Sequence, residues 1–549
     1  MEKFFRSPCR ISFFDKERLI KTKQNEVKKM YRRMTALFAA VCVLLGALLW
    51  RTMEVGASQS AQALRQGHTR TLTVGTSRGV IYDRKLRPLA PSDERLLAAA
   101  APCKAALETL TAAFGKDEAL RMLESGAPAL GETQTEIDTP FVRTFAVPVR
   151  YGAHALAAHL IGTVDGEGRG TSGIERAFDE VLAAHSGSLA VRFPVDAAGR
   201  VLPGEGKEIV DRNFRAKGGV ALTIDADLQR ITEQALAASG IQSGCIVMAD
   251  VNTGELLALA SVPGFDRGAP GTALQSARSP FSDKALGAYS VGSVFKPLLA
   301  AFALEQGVSP RFSYTCTGTC RIGDTRFPCF GGKAHGRQTL RQALENSCNT
   351  YFIRLMQEID ATAFRSFCES LGFGAPLPLC DGLAADGGKL PDTRDLLLPG
   401  ERANLAFGQG KLLASPLQML SVYQTLATGK QIPLTVLRGP VDANGVLQPE
   451  VPFAGVRRLS DKTTQSLRKL LAASAKAVGA PQGAGKTGTA QSGIFENGKE
   501  VCRTWFAGFF PAKAPKYAVV ILNENGVSGA KDCAPVFAGI AESVGNTER

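Results

Sequence analysis

The sequence predicts an α+β protein held to a membrane by one N-terminal apolar helix. Three observations carry that reading. Strand-like segments stand at both ends of residues 217–549 with helix-rich sequence between them, so one sheet must be completed by segments distant in the chain. A run of seventeen uncharged residues, Met34–Trp50, follows a strongly basic start. The composition, 45% hydrophobic and 21% charged over 549 residues, suits a globular chain with a large core and two or three domains.

Residues 1–33 form a basic tail with eleven Lys/Arg against four Asp/Glu, which is +7 of the chain's +13. At 1.5 Å per residue the uncharged run is about 26 Å long, short for a membrane span. Arg32, Arg33, Trp50 and Arg51 make up the difference by anchoring at the interfaces. Residues 34–51 therefore read as an uncleaved transmembrane anchor. The competing reading is a signal peptide cut after Val55-Gly56-Ala57, before Ser58, but the basic extension is long for one. Cys42 sits in a poor lipoprotein context. The positive-inside rule places the tail in the cytoplasm and everything after Arg51 outside. Beyond residue 33 no Lys/Arg run remains, so no nucleic acid is expected as a partner.

Residues 52–216 read as an irregular α/β pedestal with no catalytic constellation. "SRGVIYDRKLRPLA" (Ser77–Ala90) reads as a short strand and a charged turn, and a helix is expected near Ile174–Ala184. The character changes in residues 217–549. Leu222–Ile224 ends a strand, Asp225 is a fair N-cap, and Leu228–Ala238 has helical periodicity. Two apolar strands around Asn252-Thr253-Gly254 make a hairpin. Val294 to Leu426 is helix-rich. Strand-like "KTGTAQ", "RTWFAGFFP" and "YAVVILNEN" follow, the first two joined across Asn497-Gly498, a strong hairpin signal. No appended domain is expected after them.

Chemistry concentrates in this last domain. In "AYSVGSVFKPLLA", Ser293 stands three residues before Lys296, so the two share one helical face. Pro297 is harmless only in a first helical turn. Ser293 should therefore sit at the start of a buried helix, a seat that favours a nucleophile. Downstream lie Ser347-Cys348-Asn349 and Lys486-Thr487-Gly488-Thr489, spaced 54 and 139 residues along the chain from Ser293 to Ser347 to Lys486.

The twelve cysteines are too few for a disulfide scaffold. Cys316, Cys320, Cys329 and Cys348 cluster near His335, but their spacings match no standard zinc pattern, so no metal site and no cofactor are expected. The histidines include no His-Glu-x-x-His. Cys329 and Cys348 form a candidate redox pair on the oxidising side of the membrane, the alternative being that Cys348 is a small buried thiol with no regulatory part. A disulfide between them would close a loop worth about 3 kcal/mol and pull on Ser347 and Asn349.

Ser-x-x-Lys, Ser-x-Asn and Lys-Thr-Gly in this order are the signature of penicillin-binding proteins and β-lactamases. The chain further resembles class B penicillin-binding proteins. "RGVIYDRKLRPLA" is similar to their Arg-Gly-x-Ile-x-Asp-Arg stretch, "GTSGIERAFDEVL" to their Gly-x-x-Gly-x-Glu segment, and "LTIDADLQ" to their entry into the catalytic domain. "FGQGKLLASPLQML" and "TWFAGFFP" match as well. "CTG" at Cys316 and "SCN" at Ser347 look most like the elongation and stage V sporulation members. Departures are Cys348 for the usual Asp, Tyr289-Ser290-Val291 where Pro-Pro usually precedes the Gly-Ser, and Asp283-Lys284-Ala285 where Asn-Arg is common.

The resemblance implies a pedestal of the dimerisation type and a β-lactamase-like serine transpeptidase fold, an antiparallel sheet flanked by helices. It implies a peptidoglycan D,D-transpeptidase acting on stem peptides that end in D-Ala-D-Ala, trapped covalently by penicillin and other β-lactams. Its role would lie in shape, division or sporulation wall synthesis. Ser293 is the nucleophile, Lys296 its base if burial and Lys486 lower its pKa, and Ser347 a proton relay. Asn349 would hold the substrate amide, and Lys486, Thr487 and Thr489 the terminal carboxylate. Gly488 would let the substrate lie along its strand, and the N–H groups of Ser293 and Thr489 would form the oxyanion hole. A membrane glycan polymerase of the shape, elongation, division and sporulation family is the implied partner. A membrane-anchored D,D-carboxypeptidase or β-lactamase, or an inactive scaffold of the wall-synthesis complex, shares parts of the pattern.

Overall fold

The computed structural model describes residues 13–57, 68–196, 198–202, 206–267, 270–273, 275–276, 278–449, 453–496 and 498–547. Its first element, α1 (Phe13–Ala57), is one helix of 45 residues, so the apolar run is continuous with much of the basic tail. Within it Ile20–Val55 is long and apolar enough to cross a membrane, with a mean hydropathy of 2.0 in its most apolar window and none of that window buried. Leu37, Phe38, Val43, Leu49 and Trp50 are all exposed along it. Ser58, the cleavage position of the competing reading, lies outside the described residues.

The chain divides into two compact units. One comprises Met1–Leu72, Ala98–Thr144 and Ala190–Val210, and the other Thr73–Leu97, Phe145–Leu189 and Asp211–Arg549. The segment 52–216, expected as a single pedestal, thus contributes to both. In the smaller unit α2 (Leu107–Phe114) and α3 (Lys116–Ser125) bury Leu110, Ala113, Ala119 and Met122 against Ala98, Ala100 and Val142. Gly126 closes α3 with φ 62° and an N–H donated to Met122 O, the left-handed helix ending that glycine permits.

The larger unit explains why two pedestal stretches join it. β1 (Val80–Tyr82) and β2 (Pro88–Ala90) flank the expected charged turn. Asp83, fully buried, accepts from the N–H groups of Lys85 and Arg87, both at 2.8 Å, and from Arg87 Nε at 2.7 Å. The expected helix over Ile174–Ala184 is present as two pieces, α4 (Gly173–Ala177) and α5 (Asp179–Ala184), broken at Phe178, whose φ of −117° is not helical. The carboxylate of Glu175 in α4, fully buried, accepts from Arg78 Nε (3.0 Å), Arg150 Nε (2.7 Å) and Tyr151 Oη (2.9 Å). A buried charge persists only when it is paired in this way. β3 (Gly219–Leu222) runs parallel to β1, in a four-stranded sheet ordered Leu437–Val441, β3, β1, β2. Asp225 caps α6 (Ala226–Ala238) by accepting from Asp227 N, as its sequence position predicts.

The central sheet is five-stranded and antiparallel. β4 (Gly244–Asp250) and β5 (Leu256–Val262) form the predicted hairpin. In the helix-rich middle, α7 (Lys296–Glu305) buries every residue from Lys296 to Ala303. That middle also holds a feature the sequence reading missed. β6 (Ser313–Cys316) pairs with β9 (Gly336–Thr339), and nested inside them β7 (Thr319–Ile322) pairs with β8 (Thr325–Pro328). Next come α8 (Leu340–Glu345), α9 (Asn349–Met356) and α10 (Pro416–Thr428), which is buried from Pro416 to Ala427. The chain then returns as β10 (Ala484–Glu496), β11 (Lys499–Phe510) and β12 (Tyr517–Gly526). Asn497 of the expected hairpin turn lies outside the described residues.

The strand order is β5-β4-β12-β11-β10, so β10 is an edge. Cys245, Val247 and Ala249 of β4 pack with Phe295 and Leu298, while Ile246 and Met248 pack with Leu228, Phe537 and Ile540. Both faces are covered, which is why β4 reads as an unbroken apolar run.

Candidate active site

Ser293 lies in a single 3₁₀ turn, Gly292–Phe295, that leads straight into α7, with Lys296 as that helix's first residue and Pro297 in its first turn. This is the arrangement the Ser-x-x-Lys-Pro spacing predicts. Three contacts fix the turn. Gly292 N donates to Gly408 O at 2.8 Å, Tyr423 Oη to Val294 O at 3.0 Å, and Trp505 Nε1 to Ser290 O at 3.0 Å. Gly292 has φ 61°, and a Cβ there would stand 3.0 Å from Thr489 O. A glycine at that point lets the serine turn close against β10.

Ser293 is half-buried and Lys296 fully buried. Lys296 Nζ lies 2.8 Å from Ser347 O, 2.7 Å from Asn349 Oδ1 and 3.3 Å from Ser347 Oγ. No hydrogen bond joins Nζ to Ser293 Oγ among the described residues, and catalytic bonds of this kind often tighten only around substrate. Ser347 sits in the link between α8 and α9, and Asn349 is the first residue of α9. Ser347 has φ 51°, an uncommon conformation for a serine and one that recurs at functional sites. Asn349 is engaged at both ends, since its Nδ2 donates to Pro328 O at 3.0 Å.

Lys486, Thr487, Gly488 and Thr489 lie on the edge strand β10, opposite Ala507, Phe506, Trp505 and Thr504 of β11. Lys486 is 2% exposed and its Nζ donates to Thr487 O at 2.9 Å. Thr487 and Thr489 are half-buried, and Thr489 Oγ1 accepts from Gly529 N at 3.3 Å. The room that Gly488 makes is filled by protein, because a Cβ there would stand 2.9 Å from Val291 O and 3.0 Å from Val294 Cγ1. Its missing side chain admits the serine turn rather than a ligand, which corrects the role expected for it.

Burial dominates the electrostatics. It lowers the Lys296 pKa well below the usual lysine value, and the nearby Lys486 charge pushes the same way. Burial also lowers Lys486 to about 7. Both follow from the cost of an ammonium in a poorly solvated place.

Cys348 faces away from this cleft, fully buried, into a second group of side chains. Cys329 Sγ is 3.8 Å from Cys348 Sγ and 3.6 Å from Cys316 Sγ, and Cys316 Sγ is 3.4 Å from His335 Nδ1. All four donor atoms lie within 4.8 Å of one another. The expected redox pair is therefore close but unlinked, and both cysteines are free thiols. Hydrogen bonding between them lowers the pKa of the Cys329 thiol and raises that of Cys348. Chain spacing argued against a metal, yet folding of the nested hairpins gathers a Cys₃His set that can hold one; Cys320 is not part of it. The signal in the sequence was the number of cysteines between residues 316 and 348, not their intervals.

The model of one protein family, described as the penicillin binding protein transpeptidase domain, matches residues 244–542. The peptidoglycan D,D-transpeptidase FtsI of Escherichia coli K12 is 26% identical, over 93% of this chain and 91% of that protein. Stage V sporulation protein D of Bacillus subtilis is 28% identical, over 68% of this chain and 59% of that one. Among solved structures, penicillin binding protein 3 of Mycobacterium tuberculosis complexed with aztreonam is similar, with a TM-score of 0.62 and 24% identity, covering 87% of this chain and 97% of that one. A chain of a peptidoglycan synthase complex that coordinates polymerization and crosslinking has a TM-score of 0.65 and 23% identity, covering 92% and 97%. These structural likenesses bear on the fold.

Proposed function

The chain belongs to the penicillin-binding protein transpeptidase family, and from that premise we propose that it is a class B peptidoglycan D,D-transpeptidase, cross-linking stem peptides that end in D-Ala-D-Ala through an acyl-enzyme on Ser293. The observation that carries the reading is Lys296, a fully buried lysine with a lowered pKa, hydrogen-bonded to Ser347 and Asn349 and one helical turn from Ser293.

The two short contacts of Lys296 Nζ, to Ser347 O and Asn349 Oδ1, use both N–H groups of a neutral amine. Its lone pair is then left for a hydroxyl proton. Ser293 Oγ gives its proton to Lys296 as it attacks the carbonyl of the penultimate D-Ala. The N–H groups of Ser293 and Thr489 stabilise the oxyanion. Ser347 passes the proton on to the departing D-Ala nitrogen, the C–N bond breaks, and an ester remains on Ser293. An acceptor amine then attacks the ester, loses a proton back through Lys296, and releases Ser293. The donor peptide lies along β10, since an edge strand can pair with an extended ligand, with its carboxylate at Lys486, Thr487 and Thr489. A β-lactam follows the same first step and stays attached.

In chain order, 1–33 is a cytoplasmic tail, 34–51 the membrane anchor, 52–216 the extracytoplasmic pedestal and 217–549 the catalytic region. A membrane glycan polymerase of the shape, elongation, division and sporulation family is the partner that this arrangement suits.

The test is labelling with a fluorescent penicillin and, in separate samples that have seen no penicillin, reaction with a D-Ala-D-Ala peptide and an amine acceptor. Wild type should label at Ser293 and form the cross-linked product, and Ser293→Ala should stay folded and unlabelled. Free D-Ala without cross-linked product would mark a carboxypeptidase, rapid turnover of the penicillin a β-lactamase, and no reaction at all a scaffold.

A further inference from the structure

We propose that Ser290 is a positioning residue for acylation. Its hydroxyl ties the serine turn to the edge strand β10 and so sets the spacing of the two N–H groups, of Ser293 and Thr489, that receive the oxyanion. This role rests on the transpeptidase reading of the same site.

The two N–H groups belong to different elements, one to the 3₁₀ turn Gly292–Phe295 and one to β10. Donors stabilise an oxyanion only when both lie about 2.7–3.1 Å from it, so turn and strand must be held at a fixed separation. A slip of about 1 Å costs on the order of a hundredfold in rate. Residues 289–291 lead into the turn and include no proline. No ring fixes their φ, so contacts have to order them against the loss of chain entropy.

Tyr289 is pinned first. Its N–H donates to Ala414 O and its carbonyl accepts from Ala414 N, both at 3.0 Å. Its ring meets the Trp505 ring edge-on with 6.3 Å between centroids, and the Arg503 guanidinium lies 5.8 Å from its centroid. Both contacts are close enough to attract. The residues after it then lie against β10. Val291 O stands 2.9 Å from where a Gly488 Cβ would be, and Thr489 O 3.0 Å from where a Gly292 Cβ would be. Such contacts stop the turn from coming closer, but they do not stop it from leaving.

Ser290 supplies the tether. Its Oγ donates to Gln491 O at 3.0 Å, and its carbonyl accepts from Trp505 Nε1 at 3.0 Å. Trp505 is fully buried and stands opposite Gly488 on β11, so Ser290 is bonded both to β10 and to the strand beside it. Among the described residues, Ser290 Oγ to Gln491 O is the one hydrogen bond between residues 289–296 and β10. The tether is short, because Ser290 is three residues before Ser293 and Gln491 two after Thr489. Without it the Trp505 and Gly408 contacts remain, so the expected loss is that of one hydrogen bond, about tenfold in rate rather than a hundredfold.

Rapid mixing of the full chain, in detergent, with benzylpenicillin measures the noncovalent dissociation constant and the acylation rate constant separately. Ser290→Ala should acylate about tenfold more slowly, with the dissociation constant and melting temperature of wild type. An acylamidomethyl boronic acid, whose adduct on Ser293 mimics the tetrahedral intermediate, should bind this variant about tenfold more weakly. Ser290→Thr, which keeps the hydroxyl, should restore both. A lower melting temperature and a weaker noncovalent complex at an unchanged acylation rate constant would overturn the role, as would a folded Ser290→Thr that stays slow. Wild type acylated no faster than Ser290→Ala would overturn the role alone. A wild type that no β-lactam acylates would overturn the transpeptidase reading and the role together.

Discussion

Two buried lysines divide the chemistry by how much water each has lost. Lys296 must be neutral to take a proton, and burial and the neighbouring Lys486 charge both favour that form. Lys486 must be charged to hold a carboxylate, yet burial alone brings it to about 7. The free enzyme therefore loses the Lys486 charge as pH rises through 7. Second-order acylation by a carboxylate-bearing penicillin should fall nearly tenfold per unit between about pH 7.5 and 9. Acylation by a neutral thioester should stay level over that range, and Lys486→Ala should cost the penicillin about a hundredfold and the thioester little. Parallel pH profiles for the two substrates would remove Lys486 from carboxylate binding. The sign for stability is the reverse. An unfolded chain keeps this lysine protonated up to about 10.5, so between 7 and 10.5 it binds more protons and the fold gains stability with pH.

At the scale of elements, the site is a junction between one helix start and one edge strand. The Ser-x-x-Lys-Pro pattern specified the helix start because periodicity and proline chemistry are local. The edge position of β10 and its contact with the serine turn were not local. Gly488 illustrates the difference: its sequence context suggested room for a ligand, whereas its neighbours are Val291 O and Val294 Cγ1. Gly488→Ala should push the turn and the strand apart, lowering stability by about 1–3 kcal/mol and slowing acylation with every substrate, carboxylate-bearing or neutral. Thermal melting and acylation rates check this, and an unchanged protein on both counts would show that the turn can yield. The nested hairpins between α7 and α8 went unread for the same reason. They are short, rich in Gly and Cys, and lack the alternation that marks a half-buried strand.

For the whole molecule, α1 carries a topological expectation. With the wall removed, protease added to intact cells should digest the chain beyond Arg51 and spare the basic tail, and only detergent should extract the intact protein. An ectodomain found free in the medium would favour the cleaved signal instead. By itself the sequence determined the apolar helix, the hairpin of β4 and β5, the cap at Asp225, and the three motifs with their order. Each of these depends on spacing within a turn or a strand, or on the uncharged length of one run. Only the tertiary structure decided which residues meet. Folding sends Ser77–Ala90 and Gly170–Leu182 to the larger unit, where buried Asp83 accepts from Ala226 N and buried Glu175 from Arg150 Nε. It draws Lys486 toward Lys296 from 190 residues away, and it gathers four irregularly spaced donors within 4.8 Å of one another. Encounters of that kind depend on packing and on the cost of desolvating charge, and neither leaves a period in the chain.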